Sequence, residues 1–214
     1  MSLSLRVTEI FYSIQGESST VGFPTVFVRL TGCPLRCTYC DTEYAFTEGR
    51  QHEITEVMQA VAAYTPQRVT VTGGEPLAQK NAGVLLTQLC DQGYEVSLET
   101  SGALPIEAVD PRVMIVMDIK TPGSQEMRAN RWENIAALKS SDQVKFVILD
   151  YADYQFAQRV MAEHRLLDRC QVLFSPVHDE LPVDVLADWI LADRLPVRLQ
   201  VQLHKYIWGD ARGK

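Results

Sequence analysis

The chain has 214 residues, 46% hydrophobic and 22% charged, with a formal net charge of −7 and five cysteines. That is ample apolar material for a sizeable core, and no long Lys/Arg run offers the basic footprint of a nucleic-acid partner. The apolar run Val113–Met117 falls far short of the roughly 18 residues a membrane helix needs.

The N-terminal MSLSLRVTEIFYSIQ alternates polar and apolar residues, where a secretory leader would be continuously apolar. The expectation is a single cytoplasmic domain over residues 1–214. Leu5–Ile14 reads as an N-terminal strand. Further apolar, β-rich runs are Thr25–Leu30, Arg68–Val71, Tyr94–Leu98, Val113–Met117, Gln143–Leu149, Gln171–Phe174 and Val197–Leu203. Helical spacings lie between them. In ITEVMQAVAAY, Ile54, Val57, Met58 and Val61 share one face. Gly83–Asp91, Asn130–Leu138, Tyr154–Leu167 and Val183–Leu191 have the same character, the last entered from Pro182, which a first helical turn tolerates. Alternating strands and helices imply parallel strands with right-handed crossovers. The chain is shorter than the ~250 residues of a complete eight-fold barrel, so the predicted class is α/β: an incomplete or modified (β/α) barrel of about six or seven mostly parallel strands.

The strand exits are informative. They carry the cysteine loop, TGGEP, ETSG, DIKTPGS, SPVH and HK. A chain leaving a strand needs turn residues in any case. Carboxyl ends of parallel strands are also where such folds place their chemistry, and so many polar exits point to one site.

Cys33, Cys37 and Cys40 fall within TGCPLRCTYCDT, while Cys90 and Cys170 lie on apolar elements and read as core packing. In a reducing compartment, clustered thiols mean metal or catalysis more often than disulfides. The residues alone leave four readings open. They are a disulfide with a spare thiol, unrelated free thiols, a zinc site with His52 as fourth ligand, and an iron–sulfur cluster held by three cysteines. A [4Fe–4S] cluster with four thiolates is coordinatively complete. With three, one iron keeps open positions for another molecule.

The spacing C-x-x-x-C-x-x-C, with Tyr39 directly before the last cysteine, resembles the signature of the radical S-adenosylmethionine (SAM) superfamily. Thr72-Gly73-Gly74-Glu75-Pro76 resembles its GGE element, which holds SAM's amino group. Asp118-Ile119-Lys120 and Ser175-Pro176-Val177-His178 align with further SAM-contacting segments. The resemblance adds Tyr39, Cys40, Asp41 and Gly74 to that set. Lys120 reads equally as a solvated strand-end charge. Four more stretches, Phe11–Glu17 (FYSIQGE), Arg29–Cys33 (RLTGC), Cys40–Thr42 (CDT) and Gln202–Ile207 (QLHKYI), extend the resemblance over nearly the whole chain. Together they are similar to the 7-carboxy-7-deazaguanine synthase family.

That resemblance implies a [4Fe–4S] cluster on Cys33, Cys37 and Cys40, with SAM and Mg²⁺, the last at Thr42. It implies conversion of 6-carboxy-5,6,7,8-tetrahydropterin to 7-carboxy-7-deazaguanine with loss of ammonia, in queuosine precursor biosynthesis. It also implies an external electron donor and a homodimer. The substrate residues carried over are Ile14, Gln15, Gly16, Glu17, Arg29, Thr72, Glu99 and His204. Their chemistry suits a pterin. Ring N–H groups want acceptors, which Gln15, Glu17 and Glu99 supply, and the substrate carboxylate wants the donor fork of Arg29. An arginine within an apolar strand needs a partner if it is buried. Glu17 also reads as a solvated loop carboxylate, and His204, placed at a strand end, as a structural histidine. Two departures stand out. The family's QGEG is QGES here, with Ser18, and Trp208–Lys214 (WGDARGK) extends past the point where some members end with a carboxylate near the substrate. Ser97 and Lys145 fit the fold without an assigned role. The competing readings are another small radical SAM enzyme, such as a glycyl-radical activase, and a zinc-stabilised binding module.

Overall fold

The computed structural model of the chain describes residues 3–214. Met1 and Ser2, part of the segment read for a leader, lie outside the described residues. An antiparallel pair opens the chain, β1 (Ser4–Ile14) and β2 (Pro24–Leu30). Next come β3 (Arg50–Glu53), α1 (Ile54–Ala62), β4 (Arg68–Gly73), α2 (Ala82–Asp91), β5 (Glu95–Thr100) and β6 (Met114–Asp118). The short α3 (Asn134–Ala137) leads to β7 (Gln143–Ile148), α4 (Tyr151–His164), β8 (Gln171–Pro176), α5 (Val183–Ala192), β9 (Arg198–Leu199) and α6 (Leu203–Trp208).

The nine strands of the described residues form one sheet in the order β3-β1-β2-β4-β5-β6-β7-β8-β9. From β2 to β9 every neighbouring pair is parallel. β1 runs antiparallel to both β2 and β3. β3 and β9 stay unpaired edges, so the sheet is an incomplete barrel, as the chain length predicts. Among the described residues no helix is long and apolar enough to cross a membrane.

Period-two alternation sorts each strand's side chains. Val26, Val28 and Leu30 of β2, Val69 and Val71 of β4, and Val96 and Leu98 of β5 pack against Val57 and Val61 of α1 and Leu85, Leu86 and Leu89 of α2. Ile115 and Met117 of β6, Val144, Phe146 and Ile148 of β7, and Val172 and Phe174 of β8 pack against Tyr154, Val160 and Met161 of α4 and Leu186 and Ile190 of α5. The intervening residues face the other way, around a cavity: Phe27 and Arg29, Thr72, Glu99, Val116 and Asp118, Lys145 and Val147, then Ser175. Strand register sets them side by side, with Arg29 opposite Thr72, Glu99 opposite Val116, Asp118 opposite Lys145 and Val147 opposite Ser175.

Four elements depart from the sequence expectation. β3 (RQHE) carries no apolar run; it exists because β1 is long enough to pair on both edges. The predicted helix Asn130–Leu138 shrinks to the single turn α3. The predicted strand Val197–Leu203 keeps only Arg198–Leu199, because the Gln200 N–H still reaches the Phe174 carbonyl (2.8 Å) but Leu203 N–H turns to the Gly16 carbonyl (3.0 Å). His204 therefore sits in the first turn of α6, not at a strand end. Cys170 is buried in the core beneath α4, and Cys90, half-buried, packs against the core beneath α1 and α2.

Phe146 is fully buried, with its ring edge-on to Phe174 at 5.7 Å. Phe146→Ala is expected to lower the unfolding free energy by about 3–5 kcal/mol, measured by denaturant titration with an unchanged m-value.

Candidate active site at the strand exits

A cavity of about 440 Å³ opens where the carboxyl ends of the parallel strands converge. Cys33, Cys37 and Cys40, all half-buried, line it from the loop after β2. Backbone contacts from several elements fix that loop. Gly32 N–H donates to the Ala45 carbonyl (2.8 Å) and the Gly32 carbonyl accepts from Glu75 N–H (2.8 Å). Thr38 donates through N–H to the Ser124 carbonyl (3.2 Å) and through its hydroxyl to the Gly123 carbonyl (2.8 Å). Arg36 N–H donates to the Glu126 carboxylate (2.5 Å).

All five cysteines are free, which removes the disulfide reading. Burial pushes the three loop thiols above their ordinary pKa, so binding a metal centre would release their protons. His52 sits on the edge strand β3, 3.4 Å from Glu56, and does not line the cavity. Among the described residues no group of three or more His, Cys, Asp or Glu is arranged around a single metal ion. The donor set does suit an iron–sulfur cluster. Three soft sulfur donors on one loop would serve three corners of such a cluster, beside a cavity with room for a second molecule.

The TGGEP exit plays a larger part than a ligand cradle. A Cβ on Gly74 would collide with the Gly32 carbonyl oxygen and crowd Cys33 Cβ, so glycine is what lets the β4 exit lie against the cysteine loop. Glu75, fully buried, accepts from Leu77 N–H (2.9 Å), Thr100 Oγ1 (2.9 Å), Ser101 N–H (2.7 Å) and Ser101 Oγ (2.5 Å). It ties this exit to the ETSG exit of β5.

The expected SAM-side residues Tyr39, Cys40, Asp41, Gly74, Asp118, Lys120, Ser175, Pro176, Val177 and His178 all line the cavity. Ile119 does not: its side chain is in the core and its N–H donates to the Lys145 carbonyl (2.9 Å). Lys120 is 8% exposed and its Nζ lies 2.8 Å from Asp118 Oδ2, which removes the solvated-charge reading. Burial opposes its charge most strongly, but Asp118, together with Cys37 and Tyr39, raises the pKa overall. The Tyr39 phenol is pushed up to about 12, chiefly by burial.

Every expected substrate-side residue lines the same cavity. Gln15 Nε2 donates to Thr70 Oγ1 (3.1 Å) and Glu99 Oε1 (3.3 Å), while its Oε1 accepts from Glu17 N–H (3.1 Å). Thr72 donates its hydroxyl to Glu99 Oε2 (2.9 Å). Burial, then the like charge of Glu17, raises the Glu99 pKa. Glu17 is no solvated carboxylate, since Lys145 Nζ lies 2.6 Å from one oxygen and Gln202 Nε2 donates to the other (3.0 Å). Arg29 finds the partner that burial demands in Glu9, to which its Nε donates (2.7 Å) together with the Tyr44 hydroxyl (2.8 Å). Thr42 donates to Asp41 Oδ1 (2.7 Å), and Gln202 bridges Asp41 and Glu17. His204 packs so tightly on Gly16 that a Cβ there would strike its imidazole, and burial lowers its pKa.

Sequence reasoning missed Glu9 and Tyr44, gave Lys145 and Gln202 no role, and named the tail Trp208–Lys214 without placing it. Lys145 carried a readable signal: in QVKFVIL it interrupts an apolar strand just as Arg29 does in TVFVRL. The extension Trp208–Lys214 folds back over the rim. Arg212 lies 3.8 Å from the Tyr44 ring centroid and 3.1 Å from Glu48, and Lys214 lines the cavity.

A partial parallel barrel, with three free thiols after its first parallel strand and a glycine-bearing exit against them, defines a radical SAM core. The Radical SAM superfamily matches residues 27–122. The 7-carboxy-7-deazaguanine synthase of Chlorobaculum tepidum is 49% identical, covering 98% of this chain and 97% of its own. That of Koribacter versatilis is 42% identical, covering 95% and 97%. In fold, the crystal structure of QueE from Escherichia coli has a TM-score of 0.77 over 94% of this chain and 95% of that one, at 21% identity. The chain belongs to the 7-carboxy-7-deazaguanine synthase family. The activase and zinc-module readings fall with that result.

Glu75→Ala is expected to cost about 1–3 kcal/mol, because buried Ser101 and Thr100 donors lose their acceptor, as measured by denaturant unfolding. Gly74→Ala, which forces the cysteine loop outward, is expected to lower the iron and sulfide incorporated per chain on anaerobic reconstitution, with far-UV circular dichroism unchanged.

Proposed function

We propose that the chain converts 6-carboxy-5,6,7,8-tetrahydropterin to 7-carboxy-7-deazaguanine with loss of ammonia, in queuosine precursor biosynthesis. The observation that carries this reading is one cavity holding the three thiols of the β2 exit together with Gln15, Glu17, Arg29 and Glu99. When bound, the [4Fe–4S] cluster and SAM supply an electron and a hydrogen-abstracting carbon radical, chemistry that belongs to the cofactors. The protein's part is placement and exclusion of water.

Cys33, Cys37 and Cys40 would hold the cluster. Tyr39, Asp41, Gly74, Asp118, Lys120 and the Ser175–His178 segment would surround SAM; Ile119, which does not line the cavity, is not among them. Gln15, Glu17 and Glu99 accept the N–H groups of the pterin ring, and Ile14 and Gly16 shape the wall beside them. Arg29, with Nε anchored on Glu9, turns its remaining guanidinium donors to the substrate carboxylate. Thr72 steadies Glu99. His204, held uncharged by burial, covers the ring without placing a second cation against it. Mg²⁺ would be held by Thr42, whose hydroxyl proton goes to Asp41 and leaves the oxygen lone pairs free. Waters and substrate oxygens complete such a shell, and Asp41 adds negative charge beside it. Burial works against the Asp41 charge, but the Thr42 hydroxyl and Lys205 hold its pKa below the usual range.

The reading includes a single radical SAM domain over residues 1–214, an external one-electron donor and a homodimer, all carried by the family resemblance. It includes a cytoplasmic location, which the five free thiols support. Neither a nucleic-acid nor a membrane partner is part of it.

Anaerobically reconstituted protein given carboxytetrahydropterin, SAM and a reductant is expected to form the deazaguanine product; active-cluster preparations that cleave SAM but yield none would refute the assignment. Cys37→Ala is expected to abolish the cluster's visible absorption and cut its iron content. Thr42→Ala is expected to keep a normal cluster spectrum and lose most of the stimulation by Mg²⁺, compared in magnesium titrations of the two proteins.

A further inference from the structure

Lys145 is a buried charge to which the proposed chemistry gives no role. It stands on β7 directly opposite Asp118 of β6, with its Nζ 2.6 Å from Glu17 Oε2 and 3.4 Å from Asp118 Oδ1. Asp118 gives its other oxygen to Lys120 at 2.8 Å. Lys120, Asp118, Lys145 and Glu17 thus form an alternating chain of charge across the cavity floor, from the cosubstrate side to the substrate side. Glu17 is clamped at its end, one oxygen on Lys145 and the other on Gln202. Glu99 lies close by, joined through Gln15, whose Nε2 donates to Glu99 and whose Oε1 accepts from Glu17 N–H.

Without Lys145, the Glu17 and Glu99 carboxylates would share this wall with no ammonium beside Glu17, and Gln202 alone would hold Glu17 where a pterin N–H needs an acceptor.

We propose that Lys145 is a positioning residue for the substrate: it fixes the Glu17 carboxylate as an acceptor on the cavity wall and ties that acceptor to Asp118 on the cosubstrate side. This rests on the pterin-converting function proposed for the chain. The burial that makes the lysine costly is offset by Asp118, Glu17 and Glu99, which keep its pKa raised.

The test uses the reconstituted enzyme and pterin-6-carboxylate, the aromatic analogue, whose fluorescence reports binding without turnover. Lys145→Met is expected to weaken analogue binding by roughly tenfold or more, about 1.4 kcal/mol, and to raise the substrate KM by more than kcat falls. Lys145→Arg, which keeps a cation at the site, is expected to recover most of the affinity. Because Lys145 acts through Glu17, the Glu17→Gln/Lys145→Met double variant is expected to bind no more weakly than the worse single variant. Iron content and thermal unfolding of each variant separate this from a lost fold. If Lys145→Met unfolds, the charge-keeping Lys145→Arg and the double variant carry the comparison. Analogue affinity of Lys145→Met equal to wild type, or additive losses in the double variant, would overturn the proposal. A wild-type enzyme that neither binds the analogue nor forms product would instead overturn the functional reading.

Discussion

Charge buried on the concave face of the sheet has to be matched by opposite charge, and that requirement organises the rest of the site. An ionised group away from water is tolerated only when paired and hydrogen-bonded. Here the pairs fall into two sets. Arg29 is held by Glu9, itself steadied by Tyr44. Lys120, Asp118, Lys145 and Glu17 alternate in sign across β6, β7 and the loop after β1. These pairings place the charged side chains of the cavity wall relative to one another before any ligand arrives. Pre-set geometry of this kind is what a site needs when the chemistry comes from cofactors.

A second constraint is the close approach of backbone to backbone around the cysteine loop. Gly74 lies against Gly32, Glu75 N–H donates to the Gly32 carbonyl, and the Glu75 carboxylate gathers the donors of Thr100 and Ser101. From the opposite side, Asp153 of α4 accepts from Thr121 Oγ1 (2.9 Å) and Gly123 N–H (2.8 Å), and Gly123 in turn accepts from Thr38. The loop that carries the thiols is thus braced by the exits of β4, β5 and β6. Three sulfur donors keep their relative placement without a fourth protein ligand to complete the set.

The tail bears on the substrate end. Arg212 stacks on one face of Tyr44, while the guanidinium of Arg29 lies 5.9 Å from the same ring. Tyr44 therefore has two cations over its ring, with Glu9 and Glu48 balancing them. Lys205 turns to Asp210 at 2.6 Å, which bends the extension back toward the rim. The extension is a folded segment whose Asp210 and Lys214 line the cavity.

Most of the strands, the exits that carry chemistry and the thiol spacing were legible in the sequence, because alternation and glycine placement are local properties of a chain. So was Arg29, since a charge inside an apolar run announces a buried pair. The same rule applied to Lys145 would have flagged it. What the sequence could not supply were partners distant along the chain. Glu9 reaches Arg29 across the β1–β2 pairing, Glu17 meets Lys145 over 128 positions, and Gln202 meets Glu17 over 185. The chain past β9 became a helix because Leu203 bonds to the Gly16 carbonyl, a contact that exists only once the first and last segments adjoin. Local pattern determined which residues face the cavity; only the folded sheet decided which charges meet there, because pairing depends on distance in space and not along the chain.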